Sequence, residues 1–326
     1  MTNKKSGLYP LKFFPILKQK VWGGNKLNKI FNKDGSGKIG ESWEISGVDN
    51  TISVIQNGHL KGKTLDWALD EYTAKLVGEE VYKHFGNKFP LLFKFIDAAQ
   101  DLSVQVHPDD SLAASRHNSF GKTEMWYVLE SDENARLIVG FKNDSDKARY
   151  LKALSEGKIL DELNSIPVKK GDSFIINPGT VHAIGAGVLL AEIQQTSDIT
   201  YRIYDWDRPG DDGKMRELHT EEALDAINFE SYKEQNTQHQ QVGFESHIGE
   251  TQYFSVNKLD LFQSEIRSLD KLKSFTVYMC LEGKAILEGD EFSETIEKGE
   301  TILIPASINK IHFNTKAASF LEVYIP

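Results

Sequence analysis

A repeated pair of segments is the feature of this sequence that most constrains its fold. Residues 126–131 (WYVLES) resemble residues 278–283 (YMCLEG), and residues 170–178 (KGDSFIINP) resemble residues 298–305 (KGETILIP). All four segments have the length and apolar content of short β-strands. Because the two segments follow each other in the same order in both halves, they predict a duplicated all-β unit.

The two copies differ at residues that could bind a metal. When the copies are aligned, Glu124 falls opposite Thr276 and His182 falls opposite Asn309. The second copy therefore keeps the framework of the repeat and lacks its carboxylate and its imidazole. We predict one functional β-barrel and one supporting, degenerate β-barrel.

The chain is long enough for two domains, with 326 residues of which 40% are hydrophobic. We predict a mainly β fold with a catalytic domain over residues 1–235, which has a few short helices around 64–85 and 145–164. A C-terminal domain without metal ligands is predicted over residues 236–326. Residues 231–241 are rich in Gln, Asn and charge and have almost nothing to bury, so they are the predicted linker.

The composition excludes several classes of partner. A net charge of -10 argues against nucleic acid and against an anionic membrane surface. The single cysteine, Cys280, excludes an intrachain disulfide and a Cys-rich zinc site. Residues 1–15 lack the apolar core of a signal peptide, and no apolar run reaches the length of a membrane span. A cytoplasmic protein is therefore expected.

Residues 102–110 (LSVQVHPDD) alternate between apolar and polar side chains, as a strand with two unlike faces does. Ser103, Gln105 and His107 would project from one face, and Pro108 would end the strand because it has no N–H to donate. Buried polar side chains need partners. A lone strand histidine is more often structural than a ligand, so this strand predicts a site only together with residues elsewhere in the chain.

Four residues together have the composition of a metal site: Gln105, His107, Glu124 and His182. Two imidazoles and one carboxylate form a catalytic zinc set that leaves positions open for substrate, and the same set suits non-haem iron. The amide oxygen of glutamine could be a fourth ligand. The residue types alone therefore predict a metal site and do not select the metal.

Three cations lie in strand-like segments near these residues in the sequence. Lys122 shares a strand face with Glu124, and Arg202 follows the segment that contains His182. Such side chains are usually solvated, but beside a divalent ion they could hold a phosphate or stabilise an enediolate oxygen. Lys94 interrupts an apolar run, which indicates either an extended side chain reaching solvent or a buried acidic partner such as Asp97.

Four segments closely resemble one family: residues 90–98 (PLLFKFIDA), 102–110, 122–127 (KTEMWY) and 201–206 (YRIYDW). They are similar to type I mannose-6-phosphate isomerases of the cupin superfamily, in their short bacterial form. The resemblance runs across essentially the whole chain and implies two cupin (jelly-roll) barrels. It also implies reversible interconversion of mannose 6-phosphate and fructose 6-phosphate, a phosphosugar substrate.

The resemblance further implies site residues. One zinc ion per chain would be held by Gln105, His107, Glu124 and His182. Arg202 would lie near the reacting carbons and could also contact the phosphate, for which Ser103 and Lys122 are further candidates. Isomerisation through a cis-enediol needs a base on one face of the sugar. Glu192, on the strand after His182, is the favoured base, and Lys122 is the alternative.

Two other functions remain open from the sequence. An iron-dependent cupin oxygenase would use the same two histidines and carboxylate, and a non-catalytic sugar-binding cupin would need no proton-transfer residue. The sequence leaves the oligomeric state open between a monomer and a homodimer.

Overall fold

The computed structural model describes residues 7–210, 212–233 and 241–326. The strands are β1 (Leu11–Lys12), β2 (Ile16–Gly24), β3 (Ile39–Ile45), β4 (Leu91–Ala98), β5 (Val104–Val106), β6 (Glu124–Ser131), β7 (Arg136–Phe141), β8 (Leu163–Pro167), β9 (Ser173–Ile176), β10 (His182–Ile184), β11 (Val188–Gln195), β12 (Tyr201–Tyr204), β13 (Gln241–Val242), β14 (Glu245–Glu250), β15 (Ser255–Leu261), β16 (Glu265–Ser268), β17 (Thr276–Gly289), β18 (Phe292–Glu297), β19 (Thr301–Ile304), β20 (Lys310–Asn314) and β21 (Ala318–Tyr324). The helices are α1 (Lys26–Phe31), α2 (Leu65–Tyr72), α3 (Ala74–Val77), α4 (Glu79–Phe85), α5 (Asp110–His117), α6 (Lys147–Ser155), α7 (Ile159–Glu162) and α8 (Thr220–Ala226).

Two antiparallel sheets face each other in the N-terminal half. One has the order β2-β3-β4-β11-β6-β9, and the other has the order β12-β5-β10-β7-β8. Apolar side chains fill part of the space between them, among them Trp22, Ile96, Trp126, Val128, Leu137 and Leu190. Helices α6 and α8 cover the outer face of the second sheet, where Tyr150 and Ala223 pack with Val106. This is the predicted mainly β, jelly-roll architecture.

The C-terminal half is a single ten-stranded sheet that folds over on itself. Its main path is β1-β19-β17-β21-β15-β14-β13, and β18 and β20 pair with the far end of β17. The long β17 passes from one ladder to the other after a bulge that follows Cys280. Gly283 lies just beyond this bulge at φ 77°, where an added Cβ would lie 2.3 Å from the carbonyl oxygen of Ala317. Only glycine fits there.

The repeat is confirmed in the register of the strands. Glu124 pairs with Ile176 on β9 and with Gln194 on β11. Thr276 pairs with Ile304 on β19 and with Tyr324 on β21. The two positions are therefore structurally equivalent, as the aligned sequence segments predict.

One apolar core joins the two halves. Met125 and Tyr127 on the outer face of β6 belong to the same buried cluster as Val277, Met279 and Leu321 of the C-terminal sheet. The first strand also crosses between the halves, because β1 pairs with β19. The sheets are thus packed back to back. The domain boundary near residue 235 stays a prediction, and residues 234–240 of the predicted linker lie outside the described residues.

Both predicted helical regions contain helices, but each is divided into helices shorter than the predicted range. Around residues 64–85 the helix is broken into α2, α3 and α4, because Thr73 has φ 49° and Gly78 has φ 99°. A Cβ at Gly78 would lie 2.2 Å from the carbonyl oxygen of Lys273, so this break lets the C-terminal half approach. Within the part of the chain that the structure describes, no helix combines the length and apolarity needed to cross a membrane.

The shared core predicts that both halves unfold together. Replacing Leu11, which is fully buried on β1, with Ala is expected to lower the free energy of unfolding by about 2–5 kcal/mol, because it leaves a cavity in this core. Urea unfolding is followed by tryptophan fluorescence and by far-ultraviolet circular dichroism. All 5 tryptophans precede residue 207, so fluorescence reports the N-terminal half alone.

We expect fluorescence and circular dichroism to give the same urea midpoint as each other. This should hold in the unaltered protein and again in Leu11→Ala. The matched control is Phe262→Ala, whose side chain is 78% exposed, and its free energy of unfolding should change by less than about 0.5 kcal/mol. Separate midpoints for the two signals would contradict a shared core.

Candidate active site

The four predicted metal ligands lie between the two sheets of the N-terminal barrel. Gln105 is on β5 and pairs with His182, the first residue of β10. His107 follows β5, and Glu124 begins β6 in the facing sheet. The strand pairing therefore brings together residues that are up to 77 positions apart in the chain.

The ligand atoms converge closely. The Oε2 atom of Glu124 lies 3.6 Å from Nε2 of His107, and Oε1 lies 3.4 Å from Nε2 of His182. One candidate ligand atom from each of these three residues lies within 4.8 Å of the others. The amide nitrogen of Gln105 is 3.5 Å from Nε2 of His107 and 3.3 Å from Nε2 of His182, and a half-turn of the amide would present its oxygen there instead.

Both imidazoles are oriented as metal ligands. The Nδ1 atom of His107 lies 2.9 Å from the carbonyl oxygen of Ile199, and Nδ1 of His182 lies 2.8 Å from that of Thr180. A carbonyl oxygen only accepts, so each Nδ1 donates its proton and each Nε2 carries a lone pair directed at the centre. Burial lowers the pKa of His182 to about 4, and burial and the Lys122 ammonium lower the pKa of His107 well below its usual value. Both rings are therefore neutral near pH 7.

The carboxylate of Glu124 is buried beside one ammonium group. Its side chain is fully buried, and Oε2 forms an ion pair with Nζ of Lys122, while Oε1 accepts no hydrogen bond from the described residues. Burial raises the pKa of this carboxyl to about 7, although the Lys122 ammonium opposes the rise. One ammonium leaves acceptor positions of this buried carboxylate and of the imidazole of His182 unused, and a cation between these side chains would fill them. The residues therefore fit a divalent metal ion, with three or four protein ligands and an open side.

Lys122 lies within the metal centre itself. Its Nζ atom is 3.1 Å from Oε2 of Glu124 and 3.0 Å from Nε2 of His107. Ser103 is close to the same centre, because its hydroxyl lies 3.4 Å from Oε1 of Gln105. Both side chains are buried, so neither is a solvated surface group.

A cavity of about 400 Å³ opens onto this centre. Its walls include Ser103, Gln105, Lys122, Glu192 and Arg202, so the structure brings the predicted substrate-contacting and catalytic residues together at one cavity. The walls also carry residues that the sequence analysis did not assign to the site: Lys18, Lys20, Trp22, Glu41, Trp43, Thr51, Lys94, Asp198, Thr200 and Arg216. Most of these charges are spread over β2, β3, β4 and the segment after β12, where no motif marks them.

Glu192 forms a buried ion pair on the wall of the cavity. One oxygen lies 2.8 Å from Nζ of Lys94, and the other accepts a hydrogen bond of 2.9 Å from the indole nitrogen of Trp126. Burial alone would raise the pKa of Glu192, but the ammonium groups of Lys94 and Lys122 lower it to about 2. The buried partner of Lys94 is therefore Glu192, and Asp97 instead accepts a hydrogen bond from the backbone of Lys26.

Arg202 lies across the cavity from this pair. It sits on β12 directly beside the candidate ligand Gln105, to which its backbone is paired. One terminal nitrogen donates to the carbonyl oxygen of Glu217 at 2.8 Å, while the buried Nε has no acceptor among the described residues. Burial and the neighbouring Arg216 lower the pKa of this guanidinium, which nevertheless remains charged.

The jelly-roll fold and the buried His/Glu/His centre define a cupin metalloprotein. Family models match in both halves: "Phosphomannose isomerase type I, catalytic domain" over residues 11–135 and "Mannose-6-phosphate isomerase, cupin domain" over residues 245–323. Mannose-6-phosphate isomerase ManA of Bacillus subtilis is 38% identical over 305 residues, which are 92% of this chain and 94% of that protein. Mannose-6-phosphate isomerase of Streptococcus mutans is 42% identical over 225 residues, 68% of each chain.

Solved structures have the same fold. The mannose 6-phosphate isomerase from Bacillus subtilis superposes with a TM-score of 0.87 at 31% identity, covering 98% of this chain and 100% of that chain. A structure from Archaeoglobus fulgidus superposes with a TM-score of 0.80 at 22% identity, covering 98% of each chain, which supports the fold alone. The chain belongs to the type I mannose-6-phosphate isomerase family.

The convergence of the Glu124 carboxylate with two imidazoles predicts that metal binding depends on Glu124. The variant Glu124→Gln keeps the shape of the side chain and removes its charge, so the metal content after purification should fall at least about tenfold. Elemental analysis by mass spectrometry measures it. The matched control is Glu130→Gln on the same strand, six residues further along and outside the centre, which should keep the metal content of the unaltered protein. Equal metal content in both variants would exclude this centre as the site.

Proposed function

We propose that this chain interconverts mannose 6-phosphate and fructose 6-phosphate, using one zinc ion bound by Gln105, His107, Glu124 and His182. Family membership supports the reaction. The observation that carries the proposed site is the convergence of the buried Glu124 carboxylate with two neutral imidazoles, next to a cavity whose walls include Gln105 and Lys122. When bound, the metal would supply positive charge to polarise the hydroxyl and carbonyl oxygens of the sugar.

The reaction moves a proton between C2 and C1 of the open-chain sugar through a cis-enediol. A base must remove the proton and return it on the same face, and the developing oxyanion must be stabilised. Arg202 is the proposed stabilising cation, because its guanidinium lines the cavity beside the metal ligand Gln105 and makes no ion pair with a described carboxylate. The guanidinium is always charged, and its planar set of N–H donors can bind an oxyanion.

Glu192 and Lys122 remain the two proposed bases. Glu192 lines the cavity as a carboxylate, and its pKa of about 2 makes it a weak proton acceptor while Lys94 stays bound to it. A sugar hydroxyl that drew the Lys94 ammonium away would make the Glu192 carboxylate more basic. Lys122 is nearer to the metal ligands. Glu192 remains the favoured base, because it lines the cavity without being a candidate metal ligand, and Lys122 remains the alternative.

The predicted phosphate contacts lie at the reacting end of the cavity. Ser103 and Lys122 are both beside the metal centre, and Arg202 is paired with the strand that carries Gln105. These positions favour contacts with C1 and C2 rather than with the phosphoryl group at the other end of the sugar. Ser103, Lys122 and Arg202 therefore stay proposals as substrate contacts, with the reacting carbons as their favoured target.

The assay for the proposed function couples fructose 6-phosphate formation from mannose 6-phosphate to a dehydrogenase, without oxygen, before and after chelation. Turnover should disappear with the metal and return when zinc is added. Turnover that requires oxygen would favour the iron oxygenase, and sugar binding without loss of label from C2 would favour the non-catalytic cupin. The isomerase relatives, at up to 94% coverage of their own length, support the first outcome. A cytoplasmic location and a monomeric or homodimeric state stay predictions.

Replacing Arg202 with Ala should lower kcat by about 10²–10³-fold, because it removes a fixed charge from the developing oxyanion. Metal content should stay at the level of the unaltered protein, since Arg202 is not a ligand. Steady-state kinetics and elemental analysis on the same sample separate the two effects. An equal loss of metal and activity would make Arg202 a structural residue instead.

The base is identified by exchange of the C2 hydrogen of mannose 6-phosphate with solvent. Loss of a general base lowers such exchange by about 10²–10⁴-fold, and we expect this for Glu192→Gln. The comparison variant is Lys122→Met, for which exchange should fall less. If Lys122→Met abolishes exchange and Glu192→Gln retains it, the base is Lys122. Nuclear magnetic resonance in D₂O measures the exchange without requiring net turnover.

A further inference from the structure

The cations around the cavity differ in whether a carboxylate already neutralises them. Six cationic side chains line it: Lys18, Lys20, Lys94, Lys122, Arg202 and Arg216. Four of them have a carboxylate partner. Lys20 lies 3.0 Å from Glu41, Lys94 lies 2.8 Å from Glu192, Lys122 lies 3.1 Å from Glu124, and Arg216 is bound to Asp205.

Two cations of the cavity are left without such a partner. Neither Lys18 nor Arg202 has a carboxylate oxygen within 4.0 Å among residues 7–210, 212–233 and 241–326. Arg202 is at the reacting end, beside the metal ligand Gln105. Lys18 is therefore the one lining cation that is both uncompensated and away from the metal centre. The lining carboxylate Asp198 is exposed and forms no ion pair with Lys18.

Lys18 stands at the opposite side of the cavity from the metal ligands. It is on β2, the edge strand of the six-stranded sheet, whereas Glu124 is on β6, four strands away. Its Nζ atom lies 4.9 Å from the centre of the Trp43 ring, and Nζ of Lys94 lies 5.1 Å from the same ring. Both ammonium groups therefore lie against the Trp43 ring, but only that of Lys94 has a carboxylate partner.

We propose that Lys18 binds the phosphoryl group of the substrate and so makes the enzyme select sugar phosphates over free sugars. A dianion at the end of the sugar remote from C1 and C2 needs a cation whose charge is not already neutralised. Lys18 meets this need at the required side of the cavity. The indole of Trp43 holds its ammonium over the ring face, which orders the side chain before substrate arrives. This inference rests on the proposed function, because it assumes a phosphosugar with its reacting end at the metal.

The first experiment measures steady-state kinetics of Lys18→Gln with mannose 6-phosphate. Loss of one charge-assisted contact should raise KM by about 10- to 100-fold, with kcat within about threefold of the unaltered enzyme, since Lys18 does not touch the reacting carbons. Lys18→Arg should recover most of the affinity because it restores the charge. The inhibition constant of inorganic phosphate should rise together with KM.

Two lysines serve as controls for charge removal. Lys38→Gln removes an exposed charge close to β2 and outside the cavity, so KM should not change. Lys20→Gln removes a cavity charge that Glu41 already neutralises, two residues from Lys18 on the same strand. It should raise KM much less than Lys18→Gln. Equal effects of Lys18→Gln and Lys20→Gln, or no effect of Lys18→Gln, would overturn the proposal.

Calorimetric binding of inorganic phosphate and of mannose 6-phosphate separates this inference from the proposed function. If the unaltered protein binds both compounds, and Lys18→Gln weakens both at least about tenfold, the phosphate site stands whether or not isomerisation is detected. If the unaltered protein isomerises mannose 6-phosphate and Lys18→Gln binds phosphate normally, the function stands and the role of Lys18 is wrong.

Discussion

The structure depends on one buried carboxylate that lies between two neutral imidazoles. Glu124 is fully enclosed between two sheets, and its oxygens face the lone pairs of His107 and His182. Such an arrangement is unfavourable in isolation and becomes favourable only around a cation. Hydrogen bonds to backbone carbonyls fix both rings, so the orientation of the imidazoles is preorganised. The cavity is then the opening through which a substrate can reach that cation.

The second barrel has the same framework, but its buried carboxylate, Glu322, is neutralised by side chains of the protein itself. Glu322 pairs with Tyr278 and Asn257, in the register in which Glu192 pairs with Trp126 and Lys94. Its oxygens accept hydrogen bonds from the Tyr278 hydroxyl at 2.7 Å and from the Asn257 amide at 3.0 Å, and Arg267 binds the carboxylate as well. Thr276 replaces the carboxylate of Glu124. With every acidic oxygen satisfied by the protein, this interior does not require a metal. The duplicated framework therefore supports the catalytic barrel through the shared apolar core.

The sequence could single out the residues of the His107/Glu124/His182 cluster because they lie in or beside specific motifs. His107 lies in the specific segment 102–110. Glu124 and His182 stand out because the second copy of the repeat lacks them. All three are polar, metal-binding residue types within strand-like segments. The lysines and acids of the cavity wall are marked by no such pattern. Lys94 stood out only as a charge within an apolar run, and its partner is Glu192, 98 residues further along the chain, rather than Asp97. Side chains that approach across neighbouring strands leave no signal in local sequence.

The sequence by itself determined the duplicated β architecture, the family and the identity of the four candidate ligands, because strand periodicity and short motifs are local properties of a chain. Tertiary structure decided which charges neutralise each other, and hence which cation remains free for a substrate. It also decided that β1 joins the C-terminal sheet and that the two halves share one core. These outcomes depend on strand order and register, which bring distant residues to within a few ångströms and which alternation along a single strand does not encode.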